Sequence, residues 1–209
     1  MPEPQHPPQF HWRRPQTFWT VATAAATAPR DFFAQRPGQG GFLPPVLFFL
    51  AAMLLPTLVR TALRWREGPG AMLTFLSTSL LFSLVMMLVF TLVLYCLCRF
   101  LFQASLNLPD VAAIVCYSSG VRALEFLPQW LSPLAGTLLA IIMVLFICYL
   151  VWVGLQAAGG LNRYRALVAL LLSFVAMVGL WLLVNSLRGN PPLPAPPPAA
   201  EPGPLPGRP

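Results

Sequence analysis

Few polar side chains interrupt the apolar stretches of this chain, and three of them fall at helical spacing. Ser118, Arg122 and Glu125 stand at i, i+4 and i+7, so an α-helix would present them on one face, with Tyr117 near its edge. Arg122 and Glu125, three apart, are within reach of an ion pair. A charge inside a membrane span is costly and usually faces the bundle interior or water. The three residues therefore form a candidate intramembrane polar patch, lining a path or a partner site. The closeness of Pro128 and Trp130 favours the other reading, a helix end at headgroup depth where both charges reach out to water.

Other chemistries are poorly served. Cys96, Cys98, Cys116 and Cys148 all lie in apolar segments. Cys96 and Cys98 would point about 200° apart on a helix and cannot clasp one ion. They read as small buried hydrophobes, and no structural disulfide is expected. His6 and His11 are the only histidines and both precede the spans, so no pair can hold haem or a metal inside them. Phosphate-cradling glycine loops, Gly-x-Ser-x-Gly, His-Glu-x-x-His and rhomboid-type Ser/His arrangements are all missing. Asp31, Asp110 and Glu125 do not make a pair for acid–base work. The expectation is a protein that is not an enzyme and carries no cofactor.

The elements that must position these residues are membrane helices. Hydrophobic residues make up 57% of the chain and charged ones 9%, against roughly 25% in a soluble domain. The net charge of +7 rests on 13 arginines with no lysine, which points to a GC-rich coding sequence. The arginines flank apolar runs singly or in small groups, the membrane-flank pattern; nucleic-acid binding would need a clustered basic face. Between Gly70 and Leu187 the charges are Arg99, Asp110, Arg122, Glu125, Arg163 and Arg165, leaving uncharged runs of 29, 37 and 22 residues. A bilayer core about 30 Å thick takes roughly 20 apolar residues as helix. The fold class is therefore an all-α polytopic membrane bundle, with about five transmembrane helices near 43–63, 71–102, 111–127, 134–155 and 166–187.

The second span is longer than the bilayer needs, so a tilted or projecting helix follows. The third is the weakest, because Arg122 and Glu125 intrude; it is a short span shielded by its neighbours or a re-entrant helix. Asn107, Ser132 and Asn162 are cap residues, Pro109 and Pro133 fall in first turns, and Gly159-Gly160 ends the fourth helix. Gly154 and Ala158 make a small-residue packing pair. No signal-type apolar region with a cleavage site opens the chain, so the run from Phe42 is expected to stay as a span.

Outside the spans, residues 1–15 and 189–209 read as Pro-rich disordered tails. Residues 16–41 read as an interfacial segment, with a short helix stopped before Pro29 and a flexible break at Gly38 to Gly41. Trp12, Phe18, Trp19, Phe32 and Phe33, mixed with Arg13, Arg14, Arg30 and Arg36, are candidate anchors in the headgroup layer. Five spans would put the termini on opposite sides. With the N-terminus inside, the inner segments carry seven arginines and the outer ones six, too small a bias to fix orientation.

Pro29-Arg30-Asp31-Phe32-Phe33 before the first span, Val111-Ala112-Ala113-Ile114-Val115-Cys116-Tyr117-Ser118-Ser119-Gly120 in the third, Pro128 after it, and the stretch from Gly154 to Arg165-Ala166 occur in an order that resembles the Yip family of five-span membrane proteins. The resemblance covers roughly Phe18 to Leu187. It implies a cytosolic N-terminus, in the cytoplasmic membrane for the bacterial branch. It also implies a non-enzymatic role in organising membranes or recruiting protein partners, with the lipid bilayer as constant neighbour. A small transporter or channel subunit with a path along the third helix is the alternative. The Asp-Leu-Tyr-Gly-Pro motif of eukaryotic members is missing, and Gly120 stands where a proline often follows Tyr-Ser, so Rab binding is not carried over.

Overall fold

The computed structural model describes residues 10–11, 13–14 and 16–187. Trp12 and the rest of the two Pro-rich tails lie outside them. The described residues form seven α-helices: α1 Gln16–Thr27, α2 Pro29–Ala34, α3 Leu43–Ala62, α4 Pro69–Cys96, α5 Leu108–Ser118, α6 Pro133–Gly159 and α7 Arg163–Leu187. The chain is an all-α membrane bundle. Four helices are long and apolar enough to cross a bilayer: α3, α4 with its continuation to Leu101, α6, and α7 over Arg163–Leu180.

Local chemistry sets the helix ends. Proline in the first turn opens α2, α3, α4, α5 and α6, where a missing N–H costs nothing. The Asn107 N–H donates to Asp110 Oδ2 at 3.2 Å, tying the first turn of α5. Ser132 Oγ accepts from the Ala135 N–H at 3.5 Å ahead of α6, and Gly160 closes that helix with a left-handed φ of 62°. The helix of α4 runs on in a widened turn, in which the Phe102 N–H reaches the Leu97 carbonyl at 3.1 Å. The resulting 33 residues span about 50 Å, more than the bilayer core.

The outward faces of α4, α6 and α7 carry exposed Leu81, Leu92, Leu138, Ile142, Leu145, Leu171 and Val175. Such an apolar surface needs lipid around it. The interior is held by α5, whose residues Asp110 to Ser118 are all buried. It packs against α3, α4, α6 and α1.

The third segment is not the single α-helix its spacing predicts. After 11 residues α5 tightens into a 3₁₀ stretch, Ser119–Leu124, followed by a second short turn at Leu127–Trp130. As helix, α5 alone reaches only about 16 Å, and it is not among the helices long enough to cross by themselves. Its two ends are nonetheless far apart along α3. At one end Gly38, just before α3, abuts Pro109 and Asp110; at the other, Glu125 meets Arg60, near the last turn of α3. The third segment thus runs alongside α3 from its entry to its exit.

Residues 16–41 also depart from the expected surface segment. Helix α1 ends at Thr27, and Pro29 starts a second helix, α2. Pro37 and Gly38 are buried against the start of α5 instead of forming a loose break. Gly41, with φ of 97°, supplies the turn into α3.

Candidate functional site

The aromatic residues of the N-terminal helices build the first part of the site. Helix α2 packs on α6, and α1 on α2 and α5. Phe33 is fully buried, and Gly154 of α6 leaves the space for it: a Cβ there would lie 3.3 Å from the Phe33 ring and 2.7 Å from Ile114. Gly154 therefore lies on the surface of α6 that meets α2 and α5 within this chain, and Ala158, one turn further on, is buried too. Phe32 sits edge-on to Tyr117, and Phe48 to the same ring at 5.1 Å. Phe18 stacks on Phe48 at 4.8 Å, with Phe10 edge-on to both.

These positions revise the anchoring expectation. Phe32 and Phe33 are 3% and 0% exposed, so their rings face the bundle and are not available to a headgroup layer. Phe18 is half-buried against Phe48, and Trp19 alone of the described four stands exposed. Gly120, the position that differs from the family pattern, admits the Phe48 ring: a Cβ there would lie 2.9 Å from it, and 3.5 Å from Ala22 of α1.

The polar patch is partly assembled. In a 3₁₀ stretch residues three apart eclipse one another, so Arg122 and Glu125 stay together while Ser118 turns away. Arg122 Nε lies 3.6 Å from Glu125 Oε1. The other carboxylate oxygen takes a guanidinium N–H of Arg60 at 3.5 Å. Arg60 is the residue that spacing could not supply, since it lies 65 positions away; it reads in sequence as a span-closing arginine. The result is two guanidiniums on one carboxylate, half-exposed, where α3 and the 3₁₀ stretch converge. Arg122 also points a guanidinium nitrogen at the Met53 sulfur, 3.9 Å away, and its Nε is buried without a hydrogen-bond partner.

Ser118 is fully buried, and its hydroxyl has no hydrogen-bond partner. The Tyr117 hydroxyl faces the backbone of Phe10 without meeting a partner at hydrogen-bond geometry. Ser118 lines neither of the cavities through which Arg122 is reached from α4. An unpaired buried hydroxyl is destabilising. Ser118→Ala is accordingly expected to leave stability unchanged or raise it by about 1 kcal/mol, read as a thermal midpoint equal to or above that of the parent chain in detergent. A fall of more than a few degrees would show that the hydroxyl has a partner.

All four cysteines are free thiols. Cys98 and Cys116 are buried, and Cys116 Sγ rests 3.7 Å from Met87 Sδ. Among the described residues, no three His, Cys, Asp or Glu side chains gather as a metal set.

No curated protein and no solved structure matches the chain. The family profile described as Yip1 domain matches residues 24–184, which takes in α2 to α6, the aromatic dock on α6, the Arg60–Glu125–Arg122 cluster and most of α7. With well over half its length matched, the chain belongs to the Yip1 domain family.

Proposed function

We propose that this protein is a membrane scaffold that recruits protein partners at the end of the bundle carrying its N-terminal helices, without catalysing a reaction. One observation carries the reading. At that end Arg13, Arg14, Arg30, Arg99, Arg163 and Arg165 are exposed, and Asp31 is the only exposed carboxylate among the described residues there. The docked α1 and α2 hold part of this basic rim in a fixed position, which suits an acidic protein surface better than a floppy tail would. Ser118 lies buried away from the Arg122–Glu125 pair, and this favours a scaffold over a transport path along the third segment. The test uses the whole chain in native membranes, with a photo-crosslinking residue at Ala34. Crosslinking to a discrete partner should disappear in Arg13→Glu/Arg14→Glu/Arg30→Glu and persist in Arg64→Glu/Arg66→Glu at the opposite end. Loss in both, or in neither, rejects the assignment.

We further infer that the basic end is cytosolic and that the third segment is a fifth crossing. Arg60 and Arg122 belong to an ion cluster and not to loops. Setting them aside turns the near-even arginine count into seven against four, a bias in the direction of a cytosolic N-terminus. The contacts of the third segment with both ends of α3 support the crossing. In a chain stripped of its own cysteines, Ser105→Cys and Leu131→Cys should be labelled by an impermeant maleimide from opposite sides, Leu131→Cys from outside. Labelling from the same side would make the segment re-entrant.

A further inference from the structure

Three cavities meet at the Arg60–Glu125–Arg122 cluster. The first, about 320 Å³, is mainly apolar and lies between α4, α6 and α7 over α3 and α5, with Met86, Phe90, Ile147 and Phe174 on its walls and Ser83, Ser119 and Arg122 as its polar lining. The second, about 280 Å³, is about half polar and lies between α3 and α4, with Arg60, Ser79, Arg122 and Glu125 as its polar walls. Both are lined by Phe82, Ser83 and Arg122, so they adjoin there. The third, about 520 Å³, follows the start of α6 from Arg60 and Glu125 to Ile147.

The combined space is amphiphilic along one direction. Its polar part includes Phe75, near the start of α4, and lies beside Arg60, close to the helix end. Its apolar part extends to Phe90, about 22 Å further along α4. A molecule that fills both needs a charged group at headgroup depth and a hydrocarbon chain running inward.

Charge decides the sign of that group. Two guanidiniums face one carboxylate, leaving a local charge of +1. Their contacts to Glu125, at 3.5 and 3.6 Å, are longer than the roughly 2.7–2.9 Å of a tight charge-assisted pair. Each guanidinium has five N–H donors, and Glu125 takes few of them. The planar fork of a guanidinium matches the oxygens of a phosphate and binds them by charge-assisted N–H···O bonds. We propose that this composite cavity binds one anionic membrane phospholipid. Its phosphodiester lies between Arg60 and Arg122, and an acyl chain lies in the apolar cavity between α4, α6 and α7.

The test titrates the purified whole chain, in mild detergent, with dioleoyl phosphatidylglycerol and separately with dioleoyl phosphatidylcholine, counting bound lipid by native mass spectrometry. Phosphatidylglycerol should bind about tenfold tighter or better. Arg122→Gln should bring that preference to within about threefold. Ser83→Phe fills the neck shared by the two cavities and keeps both arginines, so it should abolish tight binding of either lipid while circular dichroism stays helical. Equal affinity for the two lipids in the parent chain overturns the proposal. So does an undiminished preference in a helical Arg122→Gln protein. Displacement of the lipid by millimolar inorganic phosphate would assign the cluster to a free anion and likewise overturn it.

Discussion

Gly38→Ala is expected to destabilise the protein by about 2–3 kcal/mol, lowering the thermal midpoint by roughly 5–10 °C for a chain of this size. The added methyl would lie 2.5 Å from the Pro109 carbonyl oxygen, 2.6 Å from Asp110 Cα and 2.7 Å from Asp110 N. All three are backbone atoms, so no rotamer change relieves the contact. The turn they belong to is itself pinned, because Asp110 Oδ2 accepts from the Asn107 N–H. The Pro37–Gly40 turn would have to lift off α5, carrying the entry of α3 with it. Gly41→Ala is the contrast. Gly41 has φ of 97° with ψ of −175°, a region open essentially to glycine alone, and open space around its Cα, so its alanine meets only backbone strain, roughly 1–3 kcal/mol. Thermal unfolding of Gly38→Ala, Gly41→Ala and Gly70→Ala in one detergent decides the matter. If Gly38→Ala is no worse than Gly70→Ala, whose added methyl meets neither a neighbour nor a positive φ, the close approach to α5 does not exist.

The contrast between these glycines illustrates what a single sequence can convey. The break at Gly38 to Gly41 is visible as composition, but composition does not separate a glycine kept for its φ from one kept for space. That distinction depends on Pro109 and Asp110, some 70 positions away. Hydropathy and charge spacing work well for α3, α4, α6 and α7, because lipid imposes a continuous apolar run on each. They work poorly for α5, which is shielded by other helices and is free to be short and to change pitch.

The polar patch shows the same limit in detail. Spacing of i, i+3 survives the change from α to 3₁₀, so Arg122 and Glu125 pair as expected. Spacing of i, i+4 does not, and Ser118 falls out of the group. Arg60, which completes the cluster, is contributed by a different helix, and no local signal joins it to Glu125. In the N-terminal segment, rings alternating with arginines describe a headgroup anchor and a docked cap equally well. What selects the cap is a recess on another helix, Gly154, opposite Phe33.

Phe33→Ala should therefore have the largest effect of any single truncation at that dock, about 3–5 kcal/mol. Phe33 is fully buried, edge-on to Phe32 at 5.1 Å and seated over Gly154. Removing the ring opens a cavity between α2 and α6 that Gly154, having no side chain, cannot fill. Helix α2 has only six residues, too few to persist without a packed face, so local loosening should become undocking. Helix α1 leans on α2 and should follow. The expected readout is rapid amide exchange and new protease cleavage confined to residues 16–36, at a temperature where α4, α6 and α7 keep their protection. Trp19→Ala, at a position 55% exposed, should change neither measurement by more than about 0.5 kcal/mol. Equal responses in the two variants would place the N-terminal helices on the membrane surface instead of on the bundle. The basic rim would then be a lipid anchor and not a fixed platform for a partner.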